Sequence, residues 1–179
     1  PFASARDYHV RLRSVGGVET QRVAYSDRWR DGLDGYLRWM EQVLVSVRDV
    51  LAEAGSVLVH CDYHAGPYLA VLCDRVFGRG ARTGASSAPG FRNELIWQYG
   101  LGGSSPRSWP RKHDTIFWYT IGPDWFFEPP MVPAASQRLR GKLKKHPDVI
   151  DVPAINNMAK ERTGYPTQKP LQLLELLVR

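Results

Sequence analysis

The chain has 179 residues, 43% apolar and 11% aromatic, which is enough to bury a core and excludes a disordered polymer. Its 24 lysines and arginines exceed its 18 acids for a net charge of +6, which fits a polyanionic partner as well as an ordinary basic surface. There is no run of about 18 uncharged apolar residues and no secretory pattern at the start. Cys61 and Cys73 make no CxxC pair and no disulfide framework, so the chain reads as soluble and cytoplasmic.

Residues 1–30 read as loop, with Arg6, Arg11, Arg13, Arg22, Arg28 and Arg30 set against Asp7, Glu19 and Asp27. Leu33, Tyr36, Leu37, Met40, Val43, Leu44, Val47, Val50 and Leu51 then recur at three- and four-residue spacing. They predict a helix with one buried face, capped by Asp31 and stopped by Gly55. Ser56 to Cys61, SVLVHC, is a β-branched run that predicts a buried strand of parallel type. A second helix over about Tyr68 to Phe77 is closed by Gly78, and the helix, strand, helix order predicts an α/β fold with a mostly parallel sheet.

Gly78 to Gly90 is rich in Gly, Ser and Ala and predicts a mobile surface loop; with no strand leading tightly in and no helix opening after it, its glycines do not read as a phosphate cradle. FRNELIWQYG and TIFWYTIG predict two further strands, joined by a loop that carries Arg107, Trp109, Arg111, Lys112 and His113. From Pro123 to Pro153, prolines and aromatics interrupt any periodicity. RLRGKLKK within it places Arg138, Arg140, Lys142, Lys144 and Lys145 together without an acid. At the end, TGYPTQKPLQLLELL reads as a polar turn and then a helix opened by Pro170. Leu171, Leu173, Leu174, Leu176 and Leu177 span too much of its circumference for a surface helix, so burial on more than one side is expected in a larger protein, with the covering layer missing from this chain.

Three groups of residues bear on chemistry. The basic run near residue 140 would either neutralise nucleic-acid phosphates, with salt-dependent binding, or form a solvated basic face. The aromatics Trp109, Trp118, Tyr119, Trp125, Phe126 and Phe127 would either stack on bases or fill a core. HCDYH sets His60 and His64 around Asp62 where a strand gives way to a loop. Ligands of open α/β sheets lie outside the carboxyl ends of strands, so Asp62 is placed to accept hydrogen bonds from a small molecule. Metal binding through His60, Asp62 and His64 is the competing reading, although a strand end does not bring two histidines four apart onto one face. Cys61 as a nucleophile is disfavoured, because His60 beside it would point to the opposite face of the strand.

AYSDRW (Ala24 to Trp29), GSVLVHCDYHAGPYLAVLCDRVFG (Gly55 to Gly78), FRNELIWQY, RKHDTIFWYT and NNMAKERTGYPTQKP (Asn156 to Pro170) together resemble the DNA amino-methyltransferase family. More narrowly they are similar to its circularly permuted bacterial, beta-type branch, in which the catalytic half precedes the cofactor half. The resemblance covers almost the whole chain and keeps the family's order. It implies a Rossmann-like S-adenosylmethionine-dependent methyltransferase fold, present here as one incomplete domain over 1–179. The target-recognition region falls within about 101–153.

In that family the catalytic motif is Asp, Asn or Ser, then Pro-Pro, then an aromatic, and the opening Pro1-Phe2 resembles its last two residues. An enzyme acting on a base extrudes it from the duplex, and the resemblance gives Phe2 the role of stacking on that base. The polar residue and a prolyl carbonyl accept hydrogen bonds from the exocyclic amine, keeping its lone pair free to attack the methyl carbon. Methylation at cytosine C5 needs a Cys after a Pro, whereas Cys61 follows His60 and Cys73 follows Leu72.

The resemblance makes Thr167, Gln168, Lys169 and Pro170, with Asp62, the contacts to S-adenosylmethionine. Double-stranded DNA is the partner, with Arg107, Arg111, Lys112 and the run Arg138, Arg140, Lys142, Lys144 and Lys145 on its phosphates. A restriction endonuclease or a second copy of the chain is the further partner implied. The expected reaction is methyl transfer to the amino group of adenine, or of cytosine. Both the residues expected before Pro1 and the family's glycine-rich cofactor loop are missing, which predicts an internal fragment unable to methylate DNA alone. Two rivals stand beside this reading: a DNA-binding module that has lost its chemistry, and a metal-dependent nucleic-acid hydrolase built on His60, Asp62 and His64.

Overall fold

A computed structural model describes residues 2–13, 17, 19–100, 103–156 and 158–178. Pro1, assigned above to catalysis, lies outside the described residues. The loop expected over residues 1–30 is instead largely a hairpin. β1 (Asp7–Arg13) pairs antiparallel with β2 (Glu19–Ser26), with a register shift between Tyr8 and His9. β1 alternates Tyr8, Val10 and Leu12 with His9, Arg11 and Arg13 as a half-buried strand does, whereas nearly all of β2 is exposed. Tyr8 stacks on Tyr25 across the pair at 4.7 Å, the kind of cross-strand aromatic contact that stabilises an exposed ribbon.

α1 (Gly32–Val50) follows the predicted periodicity and buries Tyr36 and Leu44. Asp31 makes no capping hydrogen bond; its carboxylate is paired with Arg38 instead. The helix stops at Leu51, whose backbone is extended, before Gly55 is reached. β3 (Ser56–Cys61) has the predicted limits but not the predicted burial: it is an edge strand in which Cys61 is buried and Ser56 and Leu58 are exposed. α2 (Gly66–Phe77) opens with Pro67 in its first turn and ends at Gly78 with φ +99°. In the loop that follows, Gly80–Thr83 forms a short 3-10 turn, and residues 82–87 are exposed. The loop's base is pinned: Phe91 N donates to Gly78 O at 3.1 Å, and a Cβ at Gly90 would lie 2.2 Å from that same oxygen.

β4 (Gly90–Gln98) and β5 (His113–Thr120) are the two further predicted strands, and β8 (Val149–Asp151) completes a sheet of order β3-β5-β4-β8. The mostly parallel sheet expected from the helix, strand, helix order is not what forms. β5 runs antiparallel to both β3 and β4, and only β8 is parallel to its neighbour β4. The described residues of the connection, 99–100 and 103–112, contain no crossover helix, and the chain turns back to pair β5 beside β4 in the opposite direction. β5 also explains its own composition, since a central strand covered on both faces reads as a continuous apolar run.

The two faces of the sheet carry separate cores. Cys61, Phe117 and Tyr119 meet α1 and α2 through Tyr36, Leu69, Cys73 and Phe77, while Trp97, Ile116, Ile150 and Val152 on the other face meet Leu173. Leu173 belongs to α3 (Leu171–Leu177), which docks by a narrow stripe. Leu173 is buried, whereas Leu171 and Leu174 are 57% and 45% exposed, so that side of the helix is uncovered within this chain. The segment between β5 and β8 adds a small hairpin of β6 (Met131–Pro133) and β7 (Leu143–Lys145).

Candidate active site

β3 and β4 end at the same edge of the sheet, and β5, running the other way, begins there. Register places His60 opposite Ile116 and Trp97 opposite Asp114. Because side chains alternate across a strand, His60, Trp97 and Asp114 share the face that also receives α3. Cys61, one residue along, points to the α1 and α2 side, and its sulfur lies 3.7 Å from Thr115 O.

Asp114 is the centre of the site. His60 Nε2 donates to its Oδ2 at 2.9 Å, the Tyr99 hydroxyl donates to Oδ1 at 3.2 Å, and Lys169 Nζ lies 3.8 Å from Oδ2. Burial alone would raise this carboxyl. The His60 hydrogen bond and charge, with Lys169 and the Tyr99 hydroxyl, outweigh it and hold the group below the usual carboxylate value. Burial pushes Lys169 below an ordinary lysine, against the pull of Asp114. The Lys169 ammonium also sits over two rings, 5.2 Å from Trp97 and 5.5 Å from Phe2, both within cation-π range. Phe2 closes the group by meeting His60 edge-on at 5.3 Å. Residues 2, 60, 97, 99, 114 and 169 are thus brought together from five separate segments.

Two cavities lie near the sheet. One of about 490 Å³ is lined chiefly by Leu58, Leu95, Trp118, Phe126, Phe127 and Leu176 and offers few convergent polar groups. The other, about 230 Å³, is bounded by Trp97, Tyr99, Asp114, Arg162, Tyr165 and residues 166–169. Aromatic walls with a few fixed polar groups mark a ligand site, so the smaller cavity, beside the Asp114 group, is the functional candidate. Its lining combines the rings of Trp97, Tyr99 and Tyr165 with one engaged carboxylate, Asp114, and two cations, Arg162 and Lys169, which suits an aromatic ligand that carries an anionic group.

The remaining predicted residues fall into three places. Asp62 does not face the cavity freely: His64 N and His64 Nδ1 donate to its two oxygens at 2.9 and 2.7 Å, an Asx turn that leads into α2. In the 163–170 turn, Gln168 Oε1 accepts from Thr163 N at 2.7 Å and its Nε2 donates to Glu161 O at 2.7 Å, so this side chain braces the turn. Thr167 is hydrogen-bonded to Tyr25, Pro170 is buried, and Lys169 points into the cluster described above.

The basic residues lie outside the core. Arg107 and residues 138–145 are exposed, the latter on the β6–β7 hairpin, while Lys112 is partly buried. The Arg111 guanidinium lies 4.1 Å above the Tyr63 ring, which brings the β4–β5 loop back over the Asp62 turn. Among the aromatics, Tyr119 is core, Trp118 packs on Phe127 at 5.0 Å, and Trp109 is 92% exposed. His60 engages Asp114 while His64 engages Asp62. Among the described residues no group of three or more His, Cys, Asp or Glu side chains is placed to hold a metal ion. Burial pushes the Cys61 and Cys73 thiols up to about 12. No helix among the described residues is long and apolar enough to cross a membrane.

Asp114, Trp97 and Tyr99 did not stand out in the sequence. The one available signal was an acid at the start of an otherwise apolar strand, in RKHDTIFWYT.

A DNA methylase family of the N6/N4 class (N6_N4_Mtase) matches residues 1–179. Similar curated proteins include the type II methyltransferase M.ScaI of Streptomyces caespitosus, 30% identical over 102 residues, which covers 48% of this chain and 34% of that one. The type II methyltransferase M.BglII of Bacillus subtilis is 27% identical over 170 residues, covering 83% of this chain and 45% of that one. The chain thus spans less than half the length of either relative, and within that span it belongs to the N6/N4 DNA methylase family.

Proposed function

We propose that this chain forms the catalytic part of a Rossmann-like, S-adenosylmethionine-dependent DNA methyltransferase acting on the exocyclic amino group of adenine, or of cytosine. The observation that carries the reading is the position of Phe2. Its ring lies edge-on to His60 and 5.5 Å from the Lys169 ammonium, and Lys169 in turn lines the aromatic cavity. An aromatic so placed offers a face to an extruded base, and Pro1 before it would present its carbonyl to the base's amine. Reaction at nitrogen is supported further by the two thiols. Both are buried, and Cys61 faces the helices on the side of the sheet opposite His60.

The residues fit the cofactor in chemical type. A sulfonium cation is favoured by aromatic faces, which Trp97 and Tyr99 supply, and Arg162 and Lys169 in the same lining suit the cofactor's carboxylate. Thr167, Lys169 and Pro170 would contact the cofactor, and Gln168 would hold their turn in shape. At about 230 Å³ the cavity is below the roughly 300 Å³ of a full small-molecule site, so it suits part of the cofactor. When bound, S-adenosylmethionine supplies the methyl group; the protein orients the amine, excludes water and leaves the lone pair available.

Double-stranded DNA is the proposed substrate. Arg107, Arg111 and Lys112 on the β4–β5 loop, and Arg138, Arg140, Lys142, Lys144 and Lys145 around the β6–β7 hairpin, would contact phosphates and set affinity rather than sequence choice. Within 101–153, β5 and β8 belong to the central sheet. Target recognition is therefore assigned to the two excursions around them, 103–112 and 121–148. The similarity to two type II methyltransferases supports a role in restriction-modification, with a cognate endonuclease or a second copy as partner, in the cytoplasm.

The test is to incubate the full-length protein with labelled S-adenosylmethionine and unmethylated duplex DNA, digest the product, and identify the methylated nucleoside. N6-methyladenine is expected, and Phe2→Ala should abolish its formation. Label in 5-methylcytosine, or no label from the parent protein, would overturn the proposal.

A further inference from the structure

We infer that Asp27 is a positioning residue for methyl transfer, fixing residues 2–4 so that the Phe2 ring is held at the edge of the site. The inference rests on the reading of Phe2 as the base-stacking residue. Asp27 is completely buried, yet it lies in no helix or strand that needs a carboxylate. Its Oδ2 accepts from Phe2 N at 3.0 Å, Ser4 N at 2.7 Å and Ser4 Oγ at 2.7 Å; its Oδ1 accepts from Ala3 N at 3.2 Å and Trp29 Nε1 at 3.0 Å. Three successive backbone N–H groups aimed at one anion form a nest. The strain in the segment shows what the carboxylate overcomes. Ala3 and Ala5 sit at φ +58° and +55°, a left-handed conformation that residues with a Cβ rarely adopt.

The anchor is rigid on its other side. Trp29, bonded to the same carboxylate, packs against Tyr36 at 5.4 Å and Trp39 at 4.9 Å on α1, and Asp27 N donates to Arg6 O at 2.8 Å. A load path therefore runs from α1 through Trp29 and Asp27 to the backbone of Phe2, and the ring reaches His60 and Lys169 from there. An amide cannot replace the carboxylate. Whichever oxygen becomes NH₂, at least two of the five donors lose their acceptor and face another donor. A segment free to relax from its left-handed turn would carry the Phe2 ring away from its place. Displacements of about 1 Å are known to cost on the order of 100-fold in rate.

The experiment uses the full-length protein with a duplex carrying 2-aminopurine at the target position, and compares Asp27→Asn, Ser4→Ala and Phe2→Ala. For Asp27→Asn, kcat is expected to fall roughly 10- to 100-fold, with loss of the 2-aminopurine extrusion signal. Its Kd values for S-adenosylmethionine and DNA should stay within about 3-fold of the parent. Ser4→Ala removes one of the five donors without touching the carboxylate and should lower kcat by a few-fold. An Asp27→Asn protein with parental kcat overturns the inference. If Asp27→Asn loses cofactor binding and fold altogether, Ser4→Ala decides: a selective fall in kcat supports the inference, and an unchanged kcat overturns it. Phe2→Ala separates the two levels. Full activity there removes the reading of Phe2 itself, whereas an inactive Phe2→Ala beside an active Asp27→Asn removes only the role given to Asp27.

Discussion

Replacing Asp114 by Asn tests whether the buried charge network is what holds the site together. The carboxylate side chain is 10% exposed and Lys169 is 24% exposed, so the substitution strands an ammonium in a mostly desolvated place. Removing one partner of a fully buried pair costs about 3–5 kcal/mol. The 3.8 Å separation and the partial exposure of Lys169 bring this to roughly 2 kcal/mol, and weakening the charge-assisted bond from His60 adds about 0.5–1 kcal/mol. The expected loss is therefore about 2–3 kcal/mol, or a fall in Tm of roughly 5–10 °C for a protein of this size. Urea unfolding followed by tryptophan fluorescence reads it directly. The double variant Asp114→Asn with Lys169→Met removes the stranded charge and should recover at least about 1 kcal/mol. A single variant within about 0.5 kcal/mol of the parent, or a double variant no more stable than the single, would refute the reasoning.

Four further outcomes follow from other parts of the molecule. Asp27 and Asp114 are both held below the usual carboxylate value, so their contribution to stability is complete above the unfolded value of about 3.9 and is lost as pH falls through the lower folded values. Urea midpoints should then owe no slope to these groups between pH 5 and 7 and drop below about pH 4, and a variant lacking both carboxylates should lose that acid dependence. Tyr119→Phe removes the hydroxyl that donates to Asp74 Oδ1 at 2.6 Å, and a cost of roughly 1–2 kcal/mol is expected in the same assay. Gly90→Ala places a Cβ 2.2 Å from Gly78 O at φ +113°, so a loss above about 3 kcal/mol or failure to accumulate folded protein is expected; a soluble variant of parental Tm would contradict the close approach. Cys61 and Cys73, with thiols near 12, should be silent to a thiol reagent at pH 8 until denaturant is added, and a rapid stoichiometric reaction in the native protein would count against their burial.

How far the sequence could be read depended on which contacts a residue type reports. β3 was legible to its limits because Val57, Leu58 and Val59 form a short apolar run with two β-branched valines after a glycine, and α1 because its apolar residues keep one period for five turns. The β1–β2 hairpin was missed although Tyr8, Val10 and Leu12 of β1 alternate with His9, Arg11 and Arg13; the density of charged residues in this stretch masked that short signal, and β2 is exposed almost throughout. The leucines of α3 give the width of an apolar stripe and not its neighbours: within this chain Leu173 is buried while Leu171 and Leu174 stay exposed. In the site, Phe2 and Lys169 were legible through the family resemblance. Asp62 was correctly placed at a strand end, but its two oxygens are taken up by His64, and residue type alone does not reveal a local turn.

The misjudged strand direction and the missed Asp114 have one cause. In a wholly parallel sheet, every strand would present its carboxyl end at the site, and the chemistry would be sought in residues such as Asp62. Here β5 returns directly from β4 and inserts antiparallel beside β3, so it presents its amino end at the edge where its neighbours finish. That reversal puts the second residue of β5, Asp114, opposite Trp97 and within hydrogen-bonding distance of His60, which is 54 positions away in sequence. Lys169 then finds its counter-charge on a strand whose apolar interior made it look purely structural. The connection of residues 99–112 therefore does two things at once: it fixes the direction of the central strand, and by doing so it supplies the carboxylate that joins His60 to Lys169 behind the ring of Phe2.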